Sequence, residues 1–129
     1  MDTVIISPPK YYEVNGQVTP VICASGQHTV GANRTVVAAI TGKRVRIMGL
    51  QGCAESIAGY GSIQFRDASG GTFISSLIYL YQADKPSPQF WPIVDSGYGI
   101  ETAAGNGLYI DVAVNTVNLN VFYIAYTPS

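Results

Sequence analysis

The chain has 129 residues, of which 12% are charged and 47% are hydrophobic, and its formal net charge is −1. A chain of this length can form one domain with its own core, and this one is too apolar and too weakly charged to be disordered. The slight negative charge excludes the basic footprint that binds phosphate backbones, so we expect no nucleic acid as a partner.

The expected cellular compartment is inferred from the lack of a membrane-spanning segment and of a signal peptide in this sequence. No apolar run approaches the roughly 18 residues that span a bilayer, and MDTVIISPPK has neither the basic nor the long apolar region of a signal peptide. We therefore expect synthesis in a cytoplasm and no membrane partner. Cys23 and Cys53 should then be reduced core residues, with a disulfide between them as the alternative.

The first 20 residues differ in character from the rest. In SPPKYYEVNGQVTP, Pro8 and Pro9 favour an extended backbone with few internal hydrogen bonds, and Tyr11 and Tyr12 add apolar area. This composition predicts an extended N-terminal arm suited to docking on another protein. The remainder of the chain, residues 21–129, is expected to be a single domain.

Val, Ile, Tyr and Thr dominate the apolar runs, helical periodicity is absent, and Gly, Asn and Pro separate the runs. The pattern predicts an all-β fold, an antiparallel β-sandwich that is jelly-roll-like. Strands are predicted at 18–24, 27–31, 35–40, 43–53, 59–67, 72–82, 97–102, 106–114 and 118–127. Alternation predicts that Ile63 and Phe65 face the core, together with the even-numbered residues from Leu108 to Val114.

Two strands, SLIYLYQ and NLNVFYIAY, carry apolar residues on both faces. An antiparallel strand with one solvated side should not do so, which means that either the chain itself or a second subunit covers the extra face. We expect a subunit, because a two-layer domain of this length offers no third layer. The residues assigned to this oligomer interface are Phe122, Ile124, Tyr126, Ile78 and Leu80.

The stretch KRVRIMGLQGC holds the only concentration of basic residues. Arg44 and Arg46 share one face of the predicted strand, and Lys43 lies on the other. This predicts a solvated strand face or a salt bridge between subunits, with a phosphate site as the less favoured alternative.

Three turns and one loop connect the strands. DASGG and AAGNG predict tight turns, and NTVN predicts a hairpin whose two strands are adjacent and antiparallel. In DKPSPQFWPIVD, three prolines surround Phe90 and Trp91, which either cap one end of the fold or contact a partner. Tyr98 follows shortly after and could join them.

Residues for catalysis are scarce. His28 is the single histidine, and no C-x-x-C pair is present, so neither a catalytic triad nor a zinc site is predicted. The carboxylates do not have the spacing of an acid and base pair, and no glycine-rich segment opens a helix. We expect no enzyme activity and no cofactor; a hydrolase would depend on His28 alone.

The segments TVVAAITGKRVRIMGLQGCAE, GSIQFRDASGGTFIS and FWPIVDSGYGIETAAGNGLYIDVAVNTVNLNVFYIAY resemble a group of small virion proteins of tailed phages, over residues 35 to 126. Asn106 and Gly107 stand where that group has an acidic and a small residue, and the YQADKPSPQFWP connection is longer. The resemblance implies a jelly-roll or related β-sandwich that associates, often as a trimer, in capsid decoration or in tails and fibres.

Residues and resemblance together predict a capsid decoration protein. It would form a homotrimer on the outer capsid surface of the virion and bind the major capsid protein through residues 7–20. The alternative is a receptor-binding or carbohydrate-binding module of a tail or fibre, in which Phe90, Trp91 and Tyr98 stack on sugars.

Overall fold

The computed structural model describes residues 10–55, 59–82, 89–90 and 99–129. In these ranges the chain is all β, and it contains no helix long and apolar enough to cross a membrane. The strands are β1 (Tyr11–Val14), β2 (Gln17–Pro20), β3 (Ile22–His28), β4 (Gly31–Val37), β5 (Arg44–Ala54), β6 (Tyr60–Asp67), β7 (Ile78–Tyr81), β8 (Gln89–Phe90), β9 (Leu108–Ala113) and β10 (Val117–Tyr126).

Eight of these strands form two four-stranded sheets, and every strand pairing in them is antiparallel. The front sheet has the order β3-β10-β5-β8, and the back sheet has the order β4-β9-β6-β7. From β3 onwards, consecutive strands lie in different sheets, except for β6 and β7. The chain therefore passes repeatedly from one sheet to the other.

The two sheets share one hydrophobic core. From the front sheet it takes the odd-numbered residues Val117, Leu119 and Val121 of β10, which are almost completely buried. From the back sheet it takes Ile63 and Phe65, as alternation predicts, together with further side chains of β4, β7 and β9. Burial of these apolar side chains from both sheets is the main stabilising contribution that the fold offers.

A β-hairpin forms a third layer. Strands β1 and β2 pair with each other around Asn15 and Gly16, whose φ angles of 52° and 77° suit a tight type I′ turn. The hairpin covers a second apolar cluster on the outer side of the front sheet. In that cluster, Met48, Ile124 and Tyr126 are buried, and Tyr12, Val14 and Val21 pack against them.

The expected extended arm is therefore corrected for residues 11–20, which fold back on the body. Thr19 of β2 is buried, and Val21 N–H donates to the Lys10 carbonyl oxygen at 2.9 Å, which closes the hairpin at its base. The fold does contain a third layer, and the chain builds it from its own N-terminal residues.

The predicted strands at 43–53, 59–67, 106–114 and 118–127 agree with β5, β6, β9 and β10 to within two residues. The predicted strand at 72–82 is confirmed only for β7, and residues 71–77 are irregular apart from a bridge between Phe73 and Arg66. Val114 does not face the core as predicted. Its φ is 76° and its side chain is 56% exposed, because it already belongs to the turn after β9.

The prediction of a hairpin between the last two strands is wrong. β9 lies in the back sheet and β10 in the front sheet, so NTVN carries the chain across the core. Asn115 N–H donates to the Ala113 carbonyl oxygen at 3.0 Å, and Asn115 Nδ2 donates to the Tyr60 carbonyl oxygen at 2.7 Å. These two bonds make a sharp bend at the point where a two-residue hairpin would have kept the strands paired.

Two glycines lie opposite Leu119, Gly26 on β3 and Gly52 on β5. Substituting each of them by alanine tests how tightly the core is packed around Leu119. A Cβ added at Gly52 would lie 2.6 Å from Leu119 Cδ2 and 2.8 Å from the Asn118 carbonyl oxygen, which is too close. A Cβ added at Gly26 would have His28 Nε2 as its nearest neighbour, at 3.6 Å, which is an ordinary contact distance. Gly52→Ala should therefore lower the free energy of unfolding by about 1–3 kcal/mol. Gly26→Ala should leave it nearly unchanged, and urea denaturation of both variants measures the difference; equal effects would contradict the packing described.

Candidate interaction surfaces

Some of the groups that could support catalysis are engaged in structural contacts. His28 is half-buried at the end of β3, and burial, followed by the charge of Arg34, lowers the pKa of its imidazole. Asp67 and Glu101 accept structural hydrogen bonds, described below. Within the described ranges, no group of three or more His, Cys, Asp and Glu side chains is placed to hold a metal ion.

A strip of exposed tyrosines crosses the outer face of the back sheet. It consists of Tyr60, Tyr79 and Tyr81, which are 43%, 51% and 53% exposed, and we call it the tyrosine strip. Tyr60 lies opposite Tyr81 in the β6–β7 pair, and the rings of Tyr60 and Tyr79 meet edge to face with centroids 5.5 Å apart. Leu77, which is 51% exposed, precedes β7. The strip places large apolar side chains in water beside an edge strand.

An ion pair lies further along the same outer face. Arg66 donates from Nε and Nη2 to the two carboxylate oxygens of Asp111, both at 2.8 Å, and its guanidinium lies 4.0 Å from the ring centroid of Phe73. Asn33 N–H donates to Asp111 at 3.0 Å. The hydrogen bonds from Arg66 hold the pKa of the Asp111 carboxyl below its usual range. This two-bond geometry fixes both side chains.

Two turns meet at one end of the molecule. Both carboxylate oxygens of Asp67 accept from Ala103 N–H at 3.2 Å, and Asn106 Nδ2 donates to the same carboxylate at 3.1 Å. Gly70 N–H donates to Asn33 Oδ1 at 2.6 Å. The turns DASGG and AAGNG therefore bind each other through Asp67, which gives these motifs a structural role.

Polar groups also lie beneath the hairpin. The Tyr126 hydroxyl donates to Glu101 Oε2 at 2.5 Å, and burial, followed by this contact with Glu101, raises the pKa of Tyr126. Arg44 Nη1 donates to the Thr102 carbonyl oxygen at 3.2 Å, and Arg46 is buried beside them at 6% exposure. The predicted solvated face at Arg44 and Arg46 is corrected, because the hairpin layer and the 99–102 segment cover that part of β5.

The predicted oligomer interface is also corrected. Ile124 and Leu80 are fully buried and Tyr126 is nearly so, the first and third under the hairpin and Leu80 in the shared core. Ile78 packs half-buried against the same core, and Phe122 is half-buried on the outer side of the front sheet. A single chain already covers three of the five side chains assigned to the interface and part of the other two, and on β7 the exposed face is the opposite one.

The structure describes only some of the residues that were predicted to contact the capsid or another partner. Tyr11 is 61% exposed on the outer side of the hairpin, and Tyr12 faces inward against the second apolar cluster. Pro8, Pro9, Trp91 and Tyr98 lie outside the described residues, and Phe90 is described only as part of β8.

The cysteines are not core residues. Cys23 is exposed, Cys53 is half-buried, and both are free thiols. They lie on either side of β10, opposite Phe122 and Asn118 respectively. These positions are four residues apart along β10, about 13 Å, which is far beyond the span of a disulfide.

No protein-family model matches this chain, and a comparison with curated proteins finds no match.

The Arg66–Asp111 pair should make stability depend on pH under acidic conditions. Because the folded-state pKa of Asp111 lies below the ordinary aspartate value of 3.8, its contribution is present above that value and is lost as the pH falls through the folded-state pKa. Asp111→Asn should therefore destabilise the protein near neutral pH and have a diminishing effect towards about pH 2. Urea denaturation across this range measures the effect.

A double-mutant cycle with Arg66→Gln isolates the pair. The coupling energy should be stabilising near pH 7 and vanish once the carboxyl is protonated. A coupling energy that stays constant over this pH range would show that the ion pair does not contribute.

Proposed function

We propose that this chain is a structural protein of a tailed-phage virion, a capsid decoration protein that acts as a homotrimer on the outer capsid surface. The tyrosine strip carries the proposal, because it is a ready interaction surface on a rigid β body. The resemblance of residues 35 to 126 to small phage virion proteins supplies the virion context. The carboxylates of Asp67, Glu101 and Asp111 serve structural contacts, which favours a binding role.

The strand order supports a jelly roll as the fold. The orders β3-β10-β5-β8 and β4-β9-β6-β7 interleave eight strands in two four-stranded sheets, which is how a chain folds into two Greek keys. Domains of this architecture build viral capsids and lectins, and both classes work by presenting surfaces. Fold alone does not decide between them, so the function has to come from the surfaces.

The tyrosine strip is the face that we assign to self-association. With about half of each residue exposed, the three tyrosines present roughly 300 Å² of mostly apolar surface, which is the size of the largest apolar patch on many single chains, and such patches are often functional. No member of the strip is charged, so identical copies do not repel each other there. The strip includes the edge strand β7, and a neighbouring subunit would also shield that edge from unwanted pairing.

The outer side of the hairpin is the face that we assign to the major capsid protein. Tyr11 and Val18 are 61% and 71% exposed there, and Pro20 lies opposite Tyr11 in the hairpin register. The hairpin lies on the front sheet and the tyrosine strip on the back sheet. Binding to the shell therefore leaves the self-association face available.

The abundance of the protein in purified virions tests the proposed location. Quantitative mass spectrometry against the major capsid protein should give a copy number that scales with the capsid lattice. A handful of copies per virion would overturn decoration and support the alternative, a receptor-binding or carbohydrate-binding module of a tail or fibre.

The self-association face is tested with Tyr79→Ser combined with Tyr81→Ser. Light scattering should give three times the chain mass of 13.7 kDa for the unmodified protein and a single-chain mass for the double variant, because ring burial at the contact is lost. Tyr11→Ser is the matched control, an equally exposed tyrosine on another face, and should remain trimeric. A trimeric double variant, or an unmodified protein that is monomeric, would remove the strip from the proposal.

A further inference from the structure

A shallow polar groove lies on the outer face of the front sheet, at the opposite end of β10 from the hairpin. It encloses about 380 Å³, within the size range of ligand sites. Its lining comes from three adjacent strands, β3, β10 and β5. The lining residues are Ser25, Gly26, Gln51, Gly52, Cys53, Asn118, Leu119 and Asn120.

The register explains how the groove forms. Even-numbered residues of β10 point outward, so Asn118 and Asn120 stand in the middle, with Ser25 on one side and Gln51 and Cys53 on the other. The side chain of Leu119 points into the core, so the Leu119 backbone, with that of its two glycine neighbours, forms the floor.

The central carboxamide is oriented in advance. Ser25 Oγ donates to Asn120 Oδ1 at 2.7 Å, which directs the Nδ2 donors of Asn120 away from Ser25. In the register, the residue on that other side is Gln51. Asn118 and Asn120 are half-buried, and side chains that are already confined lose less entropy when a ligand binds.

We propose that this groove binds a short segment of an uncharged carbohydrate. Among the residues that the structure describes, every polar side chain of the lining is a carboxamide, a hydroxyl or a thiol, so these residues provide paired donors and acceptors with no net charge. Vicinal hydroxyls of a sugar present the same pairing of donor and acceptor. Phosphates, carboxylates and cations find no opposite charge among these described lining residues.

An aromatic residue lies next to the groove on the same strand. Phe122 follows Asn120 on the same face of β10, two positions beyond the lining of the groove, and is half-buried. The C–H face of a pyranose ring is apolar, and an aromatic side chain covers such a surface at little entropic cost. The stripe of two carboxamides followed by a ring therefore matches a sugar, which has polar edges and an apolar face. This proposal is independent of the location of the protein in a virion.

NMR titration of the ¹⁵N-labelled full chain tests the site. The probes are cellohexaose, maltohexaose, xylohexaose and laminarihexaose, with a galacturonate hexamer as the charged comparison. At least one neutral probe should shift the side-chain amide signals of Asn118, Asn120 and Gln51 in a saturable manner. The galacturonate hexamer should bind more weakly than the matching neutral probe.

Variants then connect the signals to the groove. Asn120→Ala and Gln51→Ala should each weaken binding about tenfold, the loss expected for one good hydrogen bond. Gln27→Ala is the control, since Gln27 lies opposite Asn118 outside the groove lining and should bind normally. The proposal is overturned if no neutral probe gives saturable shifts, if the shifts lie on the tyrosine strip, or if Gln51→Ala binds as tightly as the unmodified chain.

Discussion

Strand β10 lies between β3 and β5 and contributes to apolar clusters on both of its faces. Its odd-numbered residues fill the core shared by the two sheets, and Ile124 and Tyr126 need cover on the other side. The hairpin gives that cover, since exposing these two side chains to water would cost several kcal/mol together. The apolar side chains on both faces of β10 have to be buried. This requirement explains the three-layer arrangement at this end of the molecule and the polar cluster that is buried beneath the hairpin.

The sequence predicted side-chain alternation better than it predicted the neighbours of each face. Alternation separated Ile124 and Tyr126 from the core residues of β10 correctly, because a period of two follows directly from strand geometry. Whether a subunit or the chain itself covers that face depends on contacts between distant segments. One local signal does point to the chain itself: Asn15–Gly16 between apolar runs indicates a hairpin, whereas Pro8 and Pro9 favour an extended arm.

Surface residues were harder to assign than core residues, for a related reason. On β7, Leu80 and Tyr79 are both apolar, and only the pairing with β6 decides which of them enters the core. The groove combines residues of β3, β5 and β10 that are ordinary polar strand residues when read along the chain. Asp67 and Asp111 bind other parts of the same chain, and no charged side chain belongs to the tyrosine strip or to the described lining of the groove.

The antiparallel pairing of β3 with β10 also bears on how the chain folds. Ser25 and Asn120 are in contact although 95 positions separate them, and β10 is the inner strand that holds β3 and β5 in one sheet. During synthesis, neither the front sheet nor the cluster beneath the hairpin can assemble until residues 117–126 have left the ribosome. Contacts of such long sequence separation slow folding, and until they form, apolar strands remain exposed to neighbouring nascent chains. A protein made in many copies would meet this hazard during its own synthesis, before any partner is present.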